Sequence, residues 1–236
     1  MTAPPDLSII LPCKNDWPNI LWLVPAISEI LRFHQFAYEI LIMDDSPESH
    51  QLSLPFVQTI RRTGPPSLAR ALHDGVILSK GKWVICMDSD GNHRPHDLEQ
   101  LILKIRPDTA GWLVAQRTHY LDPQYTWAHR LFSWFLNTLI QAVCNLPTRD
   151  NTFGLFAAPS SELHQLPFKK IFSGHGEYYF RLLSFAHQKN FPLIGVDAIH
   201  GIRALGGSDN QPLKRFFSYL TTLLRHYYSL RANLYA

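Results

Sequence analysis

The sequence predicts an α/β domain with a mixed, mostly parallel sheet flanked by helices, and three observations predict it. A short apolar, β-rich run, then a polar loop, then an amphipathic helix recurs through the first half of the chain, the alternation that builds a parallel sheet. Three of those runs end in polar or acidic residues, after Pro12, at Asp44 and Asp45, and at Asp88, and open α/β sheets place ligands at the carboxyl ends of their strands. The 236 residues, 46% of them apolar, suffice for one sizeable core, and no repeat or Gly/Ser-rich linker divides them, so residues 1–236 read as one domain.

Residues 7–11 form the first strand. It ends at Pro12, and Pro18 suits the first turn of a helix reaching about residue 33, because the N–H that proline lacks would be unsatisfied there anyway. Residues 38–43 are the second strand, stopped by Asp44-Asp45. Residues 57–61 are a third, followed by a helix that Ser67 caps and Gly81 closes. Residues 83–87 are the fourth, stopping at Asp88, and 111–115 the fifth. A helix is expected around 177–189 and an apolar run over 193–199. Aromatics crowd the segment 125–143, and the closing segment 212–230 sets Phe216, Phe217, Leu220, Leu223, Leu224, Tyr227 and Tyr228 at helical spacing beside Lys214, Arg215 and Arg225. Each segment suits either a helix lying in the interface of an anionic bilayer or one packed on the domain's own core.

A net charge of +3 without Lys/Arg runs excludes a protein built around a nucleic-acid backbone. Cys13, Cys86 and Cys144 are odd in number and widely spaced, so they read as buried thiols of a reducing compartment. The residues before Leu7 lack the basic-then-apolar order of a signal peptide. Residues 131–147 carry Asn137, Gln141 and Asn145 and fall short of the roughly 20 apolar residues of a spanning helix. A cytoplasmic protein is expected. None of the twelve histidines falls in HExxH spacing, and they read mostly as surface or core residues, with His93 a neighbour of the acidic cluster.

That cluster is Met87-Asp88-Ser89-Asp90-Gly91-Asn92-His93. Alternate residues of an extended chain face the same way, so Asp88 and Asp90 point into one cleft. Carboxylate and amide oxygens are hard ligands suited to Mg²⁺ or Mn²⁺, ions that bind through one or two carboxylates plus substrate phosphates. Asp90 and Asn92 are the direct ligand candidates, with Asp88 on the sugar, ribose or bound water.

These residues resemble those of the inverting family-two glycosyltransferases, and among them the dolichol-phosphate mannosyltransferase-like group. Ser8-Ile9-Ile10-Leu11-Pro12-Cys13-Lys14-Asn15-Asp16 resembles the family's opening strand and its Pro-Thr-Tyr-Asn-Glu loop, and residues 39–47 its Val-Asp-Asp-Gly-Ser-Pro segment. Ile60 to Thr63, Leu68 through Gly75, Gly81, and Asp88-Ser89-Asp90 with His93 and Pro95 follow in family order. Asp150-Asn151-Thr152-Phe153-Gly154 resembles the Asp-Pro-x-Ser-Gly segment, and residues 201–208 the Arg-x-x-Gly-x-Ser segment. Departures are Lys14 for an aromatic, Ser67 for a Gly, Asn92 for a Gln, Trp134 for a Ser, and Gly207 and Asp209 for Glu and Lys.

The resemblance implies a GT-A type nucleotide-diphospho-sugar transferase fold, with residues 1–115 holding the donor and 116–236 the acceptor. Carried over by position, Pro12, Lys14, Asp16, Asp44 and Asp45 would line the nucleoside pocket. Asp88, Ser89, Asp90 and Asn92 would serve the diphosphate and its metal, and Arg117, Arg130 and Arg203 the phosphates. The implied donor is a GDP-mannose or UDP-glucose type sugar nucleotide and the implied acceptor a polyprenyl phosphate. The protein would then be peripheral at the cytoplasmic face of a membrane, with a separate anchoring partner making up for the missing spanning helices. Two rivals are an enzyme acting on a non-lipid hydroxyl, which would need a carboxylate base such as Asp150, and a catalytically inactive nucleotide-binding relative.

Overall fold

The computed structural model describes residues 3–123, 125–202 and 212–234. Among them one seven-stranded sheet runs β3(Val57–Arg61), β2(Tyr38–Asp44), β1(Leu7–Cys13), β4(Trp83–Cys86), β6(Phe156–Pro159), β5(Trp112–Tyr120), β7(Leu193–His200). Every pairing is parallel except those of β6, which runs antiparallel to both β4 and β5. All seven residues of β1 and of β2 are buried. Strands covered on both faces read as unbroken apolar runs, which is why both were legible in sequence.

Helices α1(Trp17–Phe33) and α3(Pro95–Ile102) cover one face, where Ile9, Leu11, Ile40 and Ile42 meet Leu23, Ile27, Leu98 and Leu101. The opposite face takes Ile10, Leu41, Met43 and Val84 against α2(Leu68–Leu78), α4(Trp127–Cys144), α7(Tyr178–Gln188) and α8(Pro212–Leu234). The one-turn helices α5(Ser160–Leu163) and α6(Phe168–Ile171) complete that layer. Ser67 caps α2 as expected, its side chain accepting from the Arg70 N–H. Gly81 does not close α2, which ends at Ser79. It lies against β1 instead, where a Cβ would stand 2.5 Å from the Ser8 nitrogen. The contact belongs to a buried polar knot, in which Ser8 Oγ accepts from the Gly81 N–H at 2.7 Å and donates to Glu39 Oε1 at 2.6 Å.

The chain winds from β1 outward to β3, then crosses to the other side of β1 to lay down β4. The topological switch point therefore lies between the carboxyl ends of β1 and β4, where such sheets open a crevice. Residues 14–16 leave one wall of it and residues 87–92 the other.

The two aromatic segments pack on the domain's own core, one of the two expectations. Helix α4 packs inward through Leu136, Ile140 and Cys144, and α8 through Leu223 and His226. The rings of Phe132 and Phe135 meet Phe216 between the two helices. Their outer faces nonetheless show Trp127 (78% exposed), Trp134 (64%), Phe217 (60%) and Tyr228 (68%) to the surroundings. No helix among the described residues is long and apolar enough to cross a membrane.

His226 docks α8, its Nε2 2.9 Å from Ser184 Oγ of α7. Burial, reinforced by the Arg181 charge, pushes its pKa down to about 4 from 6.5. The unfolded chain therefore binds more protons between those values, and the stability that neutral His226 contributes is complete above about pH 6.5 and lost as pH falls toward 4. Thermal melts between pH 7.5 and 4.5 are expected to fall less steeply for His226→Gln, which keeps a polar partner for Ser184 without titrating, than for the unmodified protein.

Candidate functional site

The crevice between β1 and β4 is stitched across its floor. Ser89 Oγ donates to the Pro12 carbonyl at 2.6 Å, so the acidic loop is fastened to the end of β1. Asn15 takes a left-handed conformation (φ 62°) and donates its N–H to Ser46 Oγ at 3.0 Å, turning the chain away from the strand. Lys14 is exposed beside this turn and Asp16 is half-buried at the start of α1.

Asp44 and Asp45 close the neighbouring strand end, and arginines hold both. Asp44 is fully buried, accepting from Trp17 Nε1 at 3.3 Å, the Ser46 N–H at 3.0 Å and Arg61 Nη1 at 3.2 Å. Asp45 accepts from Arg62 Nη1 at 2.5 and 2.6 Å and from the Ser67 N–H at 3.0 Å, while Arg62 also reaches Asp74 at 2.9 Å. Arg62 is a buried strut of this wall. Through these bonds the two aspartates brace the carboxyl end of β2.

In the acidic loop, Asp90 is buried and the Asp88 side chain about a third exposed. Asn92 donates through its backbone to Asp90 Oδ1 at 3.0 Å and through Nδ2 to Asp90 Oδ2 at 2.9 Å. Because a carboxylate only accepts, the second bond fixes which way the amide faces. Its carbonyl oxygen Oδ1 is then left buried with no hydrogen-bond partner. A buried amide oxygen lacking a donor beside a carboxylate is a donor set that fits a hard divalent cation. No cluster of three His, Cys, Asp or Glu gathers among the described residues, so such an ion would rest on Asp88, Asp90 and Asn92 and on a ligand's phosphates. His93 is fully buried and acts as a bracket: Nδ1 accepts from the Asp88 N–H at 2.8 Å, so Nε2 carries the proton and donates to the Phe153 carbonyl at 3.0 Å.

Beyond Phe153 lies an arginine cluster. The Phe153 ring touches His93 on one side (4.4 Å between centroids) and lies 5.1 Å from the Arg117 guanidinium on the other. Arg117 grips Asp150 in a bidentate pair, Nε to Oδ2 at 2.5 Å and Nη2 to Oδ1 at 2.9 Å, and also reaches Thr152 Oγ1 and Tyr125 Oη. Burial pushes the Asp150 carboxyl up, but the Arg117 charge and hydrogen bonds outweigh it and hold the group below its ordinary value. Burial likewise opposes the Arg117 charge, and Asp150 more than restores it. Asp150 thus pairs with Arg117 across 33 residues rather than with adjacent Arg149. Arg130 is exposed on α4, stacked over the Tyr120 ring at 5.2 Å. Arg203, with Gly207 and Asp209, lies outside the described residues.

Two site neighbours carry no signature in the sequence. His200 is buried among Tyr120, Tyr125 and Phe153, and burial with the Arg117 charge drives its pKa down to about 4. Tyr178, at the start of α7, points its hydroxyl toward Gly154 and His93. Both arrive from distant segments, and neither stands in a motif.

The family model for glycosyl transferase family 2 matches residues 8–163. Dolichyl-phosphate beta-glucosyltransferase of Dictyostelium discoideum is 22% identical over 214 residues, a match covering 80% of this chain and 64% of that protein, so the chain spans less than two-thirds of its length. Among solved structures, glucosyl-3-phosphoglycerate synthase from Mycobacterium tuberculosis with uridine-diphosphate has a TM-score of 0.67 at 16% identity, covering 94% of this chain and 80% of that one. The same enzyme with Mn²⁺, uridine-diphosphate-glucose and phosphoglyceric acid gives 0.66 at 18%, with the same coverage.

Removing one partner of a buried ion pair strands the other charge. Asp150→Ala is expected to destabilise the protein by about 3–5 kcal/mol in denaturant unfolding. The double variant Arg117→Met with Asp150→Leu is expected to lose much less.

Proposed function

Since the chain belongs to glycosyl transferase family 2 and has the GT-A type fold of its structural neighbours, we propose that it transfers a mannose- or glucose-type sugar from a nucleotide diphosphate onto a polyprenyl phosphate, inverting the anomeric centre. Residues 1–115 form the donor half and 116–236 the acceptor half. Pro12, Lys14 and Asp16 line the nucleoside pocket, with Asp44 and Asp45 as its arginine-braced wall. Asp88, Ser89, Asp90 and Asn92 face the diphosphate and hold its Mg²⁺ or Mn²⁺, an ion that supplies Lewis-acid stabilisation of the departing phosphates when bound.

The observation that carries this reading is the state of Asp150. A hydroxyl acceptor needs a base, and the carboxylate best placed for it is buried, neutralised by Arg117 and held below its ordinary pKa, the opposite of what a general base requires. A phosphate monoester, with a second pKa of about 6, arrives as a nucleophilic dianion and needs none. One of its oxygens bonds to the anomeric carbon as the bond to the diphosphate breaks on the opposite face, and no proton moves. Arg130 grips the acceptor phosphate through its planar fork, a role that Arg203 shares by its position in the family pattern, while Arg117 stays locked on Asp150.

A lipid carrier is supported by the likeness to dolichyl-phosphate beta-glucosyltransferase and by the exposed Trp127, Leu131 and Trp134 beside Arg130. The protein would work at the cytoplasmic face of a membrane, alone or through an anchoring partner. A second reading, transfer to a water-soluble phosphate ester, is favoured by a cavity of about 830 Å³ between α4 and the β5–β7 edge, with Gln116, Ser133, Thr138, Arg149 and Asp197 on its walls.

Calorimetry with UDP, GDP and their sugars, with Mn²⁺ and then with EDTA, tests the donor half. Metal-dependent binding of one nucleotide is expected, and its loss in Asp90→Asn with an unchanged melting temperature. Binding by no nucleotide would leave the inactive-relative reading. With the donor known, turnover on a short polyprenyl phosphate but not on glycerol 3-phosphate is expected, and the reverse would establish the second reading.

A further inference from the structure

Tyr178 places a hydroxyl beside Gly154 and His93 that no described residue bonds. Its ring is 2% exposed and clamped, stacked on Phe172 at 5.8 Å and set edge-on to Tyr179 at 6.2 Å. The clamp aims the hydroxyl at Gly154. A Cβ there would lie 3.5 Å from Tyr178 Oη and 3.8 Å from His93 Cε1, so the two groups face one small space that the absent side chain leaves clear. Gly154 has φ +95°, a conformation that L side chains rarely adopt, which keeps that space open. His93 is the residue that brackets Asp88, and Asp88 is the charge acting most strongly on the phenol.

The adjacent tyrosine shows what a merely structural hydroxyl does here. Tyr179 is as deeply buried, and its Oη donates to the Leu155 carbonyl at 3.3 Å. Among the described residues Tyr178 Oη has no hydrogen-bond partner. The ring is buried, but its oxygen is not sealed off as Asn92 Oδ1 is, so it is open to a ligand that enters the space beside Gly154.

Resting on the reading of the crevice as a sugar-nucleotide site, we propose that Tyr178 is a specificity-determining residue for the donor, its Oη donating a hydrogen bond to one ring hydroxyl of the transferred sugar whose own proton faces Asp88. A donor–acceptor pair of this kind reads a hydroxyl as present or absent. Sites built to bond a substrate hydroxyl discriminate strongly against the analogue lacking it, because their buried groups are then left unpaired.

The test compares the full chain with Tyr178→Phe, which keeps the ring and its stacking. It uses UDP-glucose or GDP-mannose, whichever binds, the matching singly deoxygenated donors, and the free nucleoside diphosphate. Tyr178→Phe is expected to bind the free diphosphate within about twofold of the unmodified protein. Its kcat/KM for the intact donor should fall about 3- to 10-fold, the range of a hydrogen bond between neutral groups. One deoxygenated donor should serve both proteins equally poorly, identifying the hydroxyl. An unchanged kcat/KM, or a loss of equal size on every deoxygenated donor, would overturn the proposal and leave the phenol a packing group. If the unmodified protein binds no nucleotide at all, the sugar-nucleotide reading falls first and the proposal with it; binding of the nucleotide with an indifferent Tyr178→Phe sinks the proposal alone.

Discussion

The arrangement depends on one constraint, the complete burial of β1 between two helical layers. With no face of the strand open to water, polar side chains along it must be paired, as Ser8 is with Glu39, and the other polar residues fall beyond its end. The same holds for β2 and for the buried part of β4. Three strand ends thus deliver Pro12 to Asp16, Asp44 to Asp45, and Asp88 to Asn92 to one crevice. The switch in winding direction at β1 prevents a crossover helix from covering that crevice. Ser89, bonded to the Pro12 carbonyl, ties two of these ends into one rigid unit.

Within that unit the carboxylates divide by what surrounds them. Asp45 and Asp150 are gripped by buried guanidinium groups, and Asp44 by Arg61 with an indole and an amide. A buried ion pair is weak evidence of stability, since its desolvation offsets much of its attraction. Its consequence here is geometric: Arg117 and Asp150 fix the end of β5 to the segment before β6, and hold Phe153 between the acidic loop and the arginine cluster. The backbone of Asp88, by contrast, is set by a neutral imidazole, which orients the loop without adding charge where a diphosphate and a cation would meet.

Much of this was legible in sequence because it is local. Strands buried on both faces announce themselves by unbroken apolar runs, and Asp88-Ser89-Asp90 follows one of them directly. The strand β6 was not legible: it has four residues and its antiparallel pairing depends on two partners distant in sequence. The expected fifth strand stopped at Ala115, whereas β5 continues to Tyr120 because β7 pairs with its polar half. Gly81 looked like a helix terminator because glycines often are, but its role is set by the close approach of β1, which local sequence does not record. The Arg117–Asp150 pair and Tyr178 were hidden for the same reason, since each is defined by a contact between distant segments.

Helix α4 shows how the proposed chemistry would gather from ordinary packing. Three of its faces are committed differently: Leu136 and Ile140 to the core, Phe132 and Phe135 to α8, and Arg130, Ser133, Trp134 and Thr138 to a cavity of mixed polarity. The remainder shows Trp127 and Leu131 to the surroundings, with Trp134 exposed at the edge of the cavity, together more apolar surface than isolated exposed residues need explain. Arg130 sits where the polar and apolar faces meet. On the proposed reading an amphiphile with a phosphate head would be sorted by that boundary, its charge turned toward Arg130 and its chain laid over the tryptophans. A soluble ester would use the cavity, Trp134 included, and leave Trp127 and Leu131 idle, which gives those two their weight in favour of a lipid carrier.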